Sequence, residues 1–281
     1  MRFGLAAAAL AAMVLATPAA AQNDAVDVVR GAMERLVANA GEAQDYTLAL
    51  RSGTLRTEVY VYLDGSGWEV AVPDDDPLGD MLGALVLWPR LHSRGADILQ
   101  AGELSPDQAA RIGRALGLTR ETVDGRPLHV LVVRPGELMD EPDSEMPDSL
   151  RMFVDPDSRQ ILRVQVAGDA SAMAGDMASG GSMRGSMDFS DYRETDGVTV
   201  PRAMRLVIDM DLEITDGQRA GMQAAMAAAR AEMAQDDSLE GREEAALMDV
   251  VMGLVTEGHM DVSVTVETVR VNAGPPAWFQ D

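Results

Sequence analysis

Polar and apolar residues alternate along much of this chain, which is the pattern of strands with one buried face. Apolar side chains recur at every second position in residues 46–50, 55–63 and 68–72, with Thr57 as the one polar member. Turn sequences, Ser52-Gly53 and Asp64-Gly65-Ser66-Gly67, separate these three runs. The pattern therefore predicts an antiparallel meander of three strands in this part of the chain.

The same alternation returns in the middle and at the end of the chain. Residues 118–134 form two runs around Asp124-Gly125, which predicts a hairpin. Residues 150–210 contain further strand-like runs, broken by Asp155-Pro156-Asp157-Ser158 and by Thr195-Asp196-Gly197. A last strand is predicted over residues 260–271, where Val262, Val264 and Val266 share a face.

Helical spacing marks the remaining segments. Residues 25–40 carry apolar side chains at helical intervals and are followed by Gly41, a stop signal. Residues 78–91 are apolar on nearly all sides, which predicts a buried helix, and residues 105–116 predict another. Thr215 and Gln218 have the spacing of a capping box. The two helices predicted within residues 215–258 are interpreted as an insertion between strands.

The first 21 residues have the features of a secretion signal. Arg2 precedes an apolar run that is short for a membrane span, and small residues follow up to Ala21. We therefore expect cleavage before Gln22, export across the inner membrane and a periplasmic location, with a retained anchor as the alternative. Residues 22–281 are expected to form a single domain.

Composition narrows the classes of partner. The net charge is −23 and all 23 basic residues are arginine, so nucleic acid and anionic lipid surfaces are disfavoured partners. There is no cysteine, which excludes disulfides, thiolate metal sites and a lipid attached through cysteine. Nineteen methionines and only 4% aromatic residues predict an adaptable core.

A search for reactive groups finds no motif. His92, His129 and His259 lack metal-ligand spacing, and nucleophile-elbow and phosphate-loop sequences are absent. The run at residues 74–76 is better interpreted as a helix start than as a metal cluster, because Pro77 follows Asp76. Four methionines in a Gly/Ser-rich segment suit Cu(I), but without His or Cys partners we favour a flexible loop: Met173, Met177, Met183 and Met187. The sequence thus predicts no metal, no cofactor and no enzymatic activity.

Four segments resemble the outer-membrane lipoprotein-sorting proteins, the periplasmic carriers of LolA and LolB type. They are Met152-Phe153-Val154-Asp155-Pro156, Ile161-Leu162-Arg163-Val164, the run from Phe189-Ser190-Asp191-Tyr192 to Pro201, and Val266-Glu267-Thr268-Val269-Arg270-Val271-Asn272 followed by Pro276 and Phe279. The resemblance implies an α+β fold in which a strongly curved antiparallel sheet, an unclosed β-barrel, has helices packed on its concave face. It also implies a cavity that accepts acyl chains. The functional arginine of that family has no matched motif here.

We therefore expect a non-catalytic carrier of lipids or lipoprotein acyl chains, loaded or unloaded by envelope membrane proteins and without a permanent membrane anchor. One alternative is an envelope interaction module whose cavity is filled by its own helices, and another is a hydrolase that uses unrecognised carboxylates. The residues expected to line the cavity are Val59, Val61, Trp68, Val70, Met81, Leu85, Trp88, Met204 and Leu206.

Overall fold

The computed structural model describes residues 20–64, 67–73, 115–134, 148–169, 181–213, 215–233, 253–254 and 256–279. Within these ranges ten strands form one sheet. They are β1 (Asp45–Ser52), β2 (Leu55–Asp64), β3 (Gly67–Ala71), β4 (Leu116–Val123), β5 (Arg126–Val133), β6 (Ser149–Val154), β7 (Ile161–Asp169), β8 (Gly181–Thr195), β9 (Val198–Leu212) and β10 (His259–Val271). The longer helices are α1 (Ala20–Asn39) and α2 (Asp216–Met233), and a 3₁₀ turn covers Ala277–Phe279.

The sheet is a continuous meander except at one place. Its order is β3-β2-β1-β10-β9-β8-β7-β6-β5-β4, so the last strand lies between the first and the ninth. Every neighbouring pair is antiparallel. Edge strands β3 and β4 do not pair with each other in the described part of the chain, so the sheet is an unclosed barrel.

The inner face of the sheet, defined here as the face that packs on α1, forms the core. Its apolar side chains belong to one buried cluster that includes residues from all ten strands, from Trp68 at one edge to Leu116 at the other. Helix α1 adds Val29, Met33 and Leu36 to this cluster and packs against β4, β5 and β9. The sheet is strongly curved, and register shifts after Ala49 and Phe153 mark two irregular positions in it.

Turn chemistry forms the hairpins where the sequence predicts them. Asp124-Gly125 has φ values of 53° and 78°, and Asp196-Gly197 has 49° and 85°. Positive φ at both positions is the requirement of the tight two-residue hairpin turn whose twist matches that of the flanking strands. The predicted strands on either side of these turns are confirmed as β4, β5, β8 and β9.

One predicted loop is in part a strand. Strand β8 begins at Gly181, inside the Gly/Ser-rich segment for which the sequence predicts a flexible loop through Met187. Both Met183 and Met187 are buried on the inner face, because β8 pairs with β7 on one side and with β9 on the other. Tertiary pairing overrides the weak strand propensity of glycine and serine here. Met173 and Met177 lie outside the described residues.

The capping box at the start of α2 is confirmed. The backbone N–H and the hydroxyl of Thr215 donate to the Gln218 amide oxygen at 2.9 and 2.8 Å, and the Gln218 N–H donates to the Thr215 hydroxyl at 3.2 Å. Most described side chains of α2 are exposed. The predicted helix at residues 78–91, residues 105–114 of the next predicted helix and most of the second helix of the 215–258 insertion lie outside the described residues, so the insertion stays a prediction. The predicted end of the 105–116 helix is wrong, because Leu116 is the first residue of β4 and pairs with Val133.

Candidate functional site

The candidate site is the apolar inner face, and six of its nine predicted residues lie in the described part of the chain. Strict alternation along each strand places them on one side of the sheet. Val59 and Val61 are fully buried in β2, and Met204 and Leu206 are buried in β9. Trp68 is 9% exposed in edge strand β3, where Val70 is partly buried against the same cluster. Met81, Leu85 and Trp88 lie outside the described residues.

These six residues form two groups separated by two strands. The first group lies on β2 and β3 and the second on β9, with β1 and β10 between them. The intervening inner face is also apolar: Val59 is opposite Leu48, Met204 is opposite Val264, and Leu206 is opposite Val262. Leu48, Val262 and Val264 were therefore missing from the predicted lining, although their alternation would have identified them.

Tyr46 is the largest fully buried side chain of the inner face. Its ring lies 6.0 Å from that of Trp68 at an angle of 51°. Burial raises the pKa of the Tyr46 hydroxyl well above its ordinary value. The hydroxyl therefore stays protonated, and this end of the interior contains no charge from it.

The inner face reaches solvent at the β2–β3 hairpin. Leu63 is opposite Trp68 in the register and is 44% exposed, the most exposed large apolar side chain among the described residues. The apolar surface thus continues from a buried interior to an exposed rim. A nonpolar molecule that approaches the hairpin would meet Leu63 first and Trp68 next.

Methionine supplies much of the remaining inner surface. Met152 in β6, Met183 and Met187 in β8, Met204 in β9 and Met260 in β10 are all buried in the same cluster. Unbranched thioether side chains fill irregular gaps and change rotamer at low cost. The central strands therefore have an interior that can be repacked more easily than one built from aromatic rings.

One polar atom on this face has no partner. The Thr57 hydroxyl is buried in β2, two residues before Val59, and makes no hydrogen bond within the described residues. A buried hydroxyl without a partner is costly, whereas an oxygen atom of a ligand could accept from it.

No group of His, Asp or Glu in the described part of the chain is arranged to hold a metal ion. His129 is half-buried in β5, opposite Arg120 in β4.

The outer face has a different chemistry, with ion pairs between strands, most of them adjacent in the sheet. Arg163 pairs with Asp188, Arg151 with Glu121, and Arg205 with Asp261 through two hydrogen bonds of 2.9 and 2.5 Å. His259 Nδ1 lies 2.8 Å from Asp209 Oδ1. The hydrogen bond from Arg205 lowers the pKa of the Asp261 carboxyl. Burial opposes this effect, and the positive charge of Arg205 adds to it.

Two nonpolar clusters interrupt the polar outer face. Leu128, Val130 and Phe153 form a small buried cluster, over which the guanidinium groups of Arg151 and Arg163 lie at 5.0 and 5.8 Å from the Phe153 ring. At the other end, Phe279 packs on Tyr60 and Tyr62 with ring separations of 5.0 and 5.1 Å.

The segment after β10 is tied to the first two strands. Asn272 Oδ1 accepts from the Gln44 N–H at 2.7 Å, and the Trp278 indole donates to Glu58 at 3.2 Å. Arg270 donates to the same Glu58 carboxylate at 2.7 Å. This segment therefore covers part of the outer face, opposite the side on which α1 packs.

No helix in the described ranges is both long enough and apolar enough to cross a bilayer. No known protein family and no curated protein matches the sequence.

Solved structures with similar folds cover most of the chain at low identity. A domain assigned to the outer membrane lipoprotein-sorting proteins, from Vibrio parahaemolyticus, is 10% identical with a TM-score of 0.39, covering 88% of this chain and 94% of that one. A DUF1329 family protein from Desulfovibrio piger is 11% identical with a TM-score of 0.37, covering 92% and 96%. A LolA superfamily protein from Nitrosomonas europaea is 10% identical with a TM-score of 0.35, covering 88% and 94%.

Proposed function

We propose that this protein is a periplasmic carrier that holds lipid or lipoprotein acyl chains against the inner face of its sheet, without catalysis. The observation that carries the proposal is the continuous apolar surface from the exposed Leu63 at the rim, past the buried Trp68, to the buried methionines of the central strands. Each methylene group transferred from water to such a surface contributes about 0.8 kcal/mol, so one acyl chain is a substantial ligand. The unpartnered Thr57 hydroxyl would meet an ester or headgroup oxygen of that ligand.

Binding requires that the interior repack, because the predicted lining residues are already buried. Methionine side chains at Met183, Met187 and Met204 allow this at lower cost than rigid side chains would. The carrier therefore opens space when methionine side chains on β8 and β9 change rotamer, and the acyl chain of the ligand enters past Leu63.

The test compares one substitution on the two faces. Val61 and Val130 are both fully buried, the first on the inner face and the second in the outer cluster. Val61→Phe and Val130→Phe should each destabilise the fold by about 1–3 kcal/mol through overpacking. Only Val61→Phe should also weaken the binding of a fluorescent fatty acid, by roughly tenfold, because it fills space that the acyl chain needs.

Native mass spectrometry of the exported wild-type chain gives the second readout. We expect a co-purifying lipid that is lost in Val61→Phe and retained in Val130→Phe. Absence of both co-purifying lipid and saturable fatty-acid binding would exclude the carrier. Equal weakening by the two variants would place the lipid elsewhere on the protein.

The complete burial of Val59 and Val61 favours a second candidate, an envelope interaction module whose interior is filled by its own side chains. In that protein lipid would neither bind nor raise the unfolding temperature, whereas a ligand that binds only the native state always does so. A fatty-acid titration followed by thermal unfolding distinguishes the two candidates.

Export by a cleaved signal is the proposed route to the periplasm. Cleavage before Gln22 would fall inside α1, two residues after its start at Ala20. N-terminal sequencing of protein recovered from the cell envelope should begin at Gln22. An intact first residue on the recovered protein would contradict this proposal.

A further inference from the structure

Two parallel rows of side chains cross the outer face between β6 and β10. Register places Arg151, Gln165, Ser186 and Val207 opposite one another in the first row. The second row contains Ser149, Ala167, Arg184, Asp209 and His259. Side chains within one row are about 5 Å apart and the rows are about 7 Å apart, so all of them border one area of the sheet.

Short side chains in these rows leave a trough of about 390 Å³ between the longer ones. Ser149, Ala167 and Ser186 form its floor, and Arg151, Gln165 and Arg184 rise around it. Val207 supplies an apolar wall on one side. This volume is within the range of small-molecule sites.

The free hydrogen-bonding groups around the trough are mainly donors. Arg184 makes no ion pair or hydrogen bond with the described residues, and neither do the hydroxyls of Ser149 and Ser186. The Gln165 amide oxygen already accepts from Arg151 at 3.2 Å, which leaves its NH₂ group available. Among the described residues, Asp209 supplies the one carboxylate of the lining, and it is engaged with His259 Nδ1.

We propose that this outer-face trough binds a small molecule that carries a carboxylate or phosphate group. The oxyanion lies over Ala167 and Ser186, where the Arg184 guanidinium donates to it from one side and Gln165 and Arg151 from the other. Arg151 contributes less than Arg184, because Glu121 already pairs with it. The site is separate from the inner face and does not depend on lipid binding there.

The net charge of −23 favours a small anion over an anionic membrane surface as the ligand of the trough. At physiological ionic strength charges more than about 8 Å away are largely screened, so a single oxyanion in the trough interacts mainly with its own lining. A membrane surface would bring many anionic groups close to the acidic residues elsewhere on the protein. We therefore commit to a soluble small anion as the occupant.

The test is a titration of the full chain with inorganic phosphate and separately with acetate, followed by nuclear magnetic resonance or calorimetry. Arg184→Gln should weaken phosphate or acetate binding by about tenfold, the effect of removing one charge-assisted hydrogen-bond donor. Arg120→Gln is the matched control, because Arg120 is exposed in β4, outside the trough, and the charge change is the same. Its affinity should stay within twofold of the wild type.

Saturable binding that is lost in Arg184→Gln and kept in Arg120→Gln supports the site, and the preferred anion identifies the ligand class. Equal losses in both variants would mean that only the overall charge matters and would overturn the proposal. Absence of binding to either anion would overturn it too. Binding only to vesicles that contain anionic phospholipid would assign the trough to a membrane surface and not to a soluble anion.

Discussion

The inner and outer faces of this sheet belong to the same strands, but they differ in how adjacent side chains interact. In β9, Leu206 and Ile208 are buried in the main cluster, while Arg205 and Asp209 on the opposite side form exposed pairs with β10. The inner face gains stability by removing apolar area from water, which is a cooperative contribution of many contacts. The outer face gains little from each exposed pair.

This difference determines how each kind of ligand can bind. A nonpolar ligand competes with the protein's own side chains on the inner face, so its binding must be coupled to repacking. A polar ligand on the outer face competes mainly with water and with local ion pairs, so its site can exist without any rearrangement. Lipid binding on the inner face therefore requires the core to rearrange, whereas anion binding in the outer trough does not.

The largest effect should come from placing a polar group on each face at adjacent positions. Leu206→Asn buries an amide among Met204, Val262 and their neighbours, and should lower the free energy of unfolding by about 3 kcal/mol or more. Val207→Asn, on the partly exposed outer side, should cost less than about 1 kcal/mol. Urea denaturation of both variants gives the comparison, and similar losses would show that the two faces are not distinct.

The next effect concerns the junction that holds α1 to the inner face. Gly41 ends the helix with a φ of 58°, and a Cβ there would lie 2.6 Å from the carbonyl oxygen of Gly197 in the β8–β9 turn. Gly53 has a φ of 60° but open space around it. Gly53→Ala should cost about 1 kcal/mol for the backbone alone, whereas Gly41→Ala should cost at least about 2 kcal/mol because the turn must also move.

Thermal or urea unfolding of these two glycine variants measures the difference. Equal losses would mean that backbone conformation accounts for both and that the contact between helix and turn adds nothing. A larger loss at Gly41 would show that the position of α1 over the inner face is fixed by this contact.

Alternation of residue types was enough to predict most of the described sheet and the side on which the six described candidate residues lie. The turns at Asp124-Gly125 and Asp196-Gly197 and the cap at Thr215 were also predictable, because each depends on a few adjacent residues. The first half of β8 was not, because Gly181 to Ser186 have a loop-like composition and become a strand only through two neighbours. The outer trough depends on residues from four strands, and only the register brings Ser149 near Arg184.

A smaller effect concerns the alkaline sensitivity that Tyr46 gives to the inner face. Burial raises the pKa of the Tyr46 hydroxyl in the folded state, whereas the unfolded chain ionises near its ordinary value of about 10. The unfolded state therefore loses its proton first, and stability that is intact below pH 10 is lost as the pH rises further. Tyr46→Phe should flatten this decline and cost about 1 kcal/mol at pH 7 through the lost hydroxyl.

Urea denaturation between pH 8 and pH 11 measures the decline. Tyr62→Phe serves as a control, because Tyr62 is only partly buried on the outer side of β2. A decline of the same steepness in Tyr46→Phe and wild type would show that Tyr46 does not carry the alkaline sensitivity.

The smallest effect should be the loss of stability at low pH when Asp261, on the outer face, becomes protonated. The hydrogen bond from Arg205 lowers the pKa of this carboxyl in the folded state, so its contribution to stability is present above the unfolded value of about 3.9 and is lost as the pH falls through the folded value. Asp261→Asn should therefore lower the urea midpoint at pH 6 and have less effect at pH 2. Because both partners are largely exposed, 1 M salt should reduce the difference at pH 6 as well. A difference that persisted in high salt would mean that the pair acts through packing between β9 and β10, and the contrast between a cooperative inner face and an additive outer face would then be weaker.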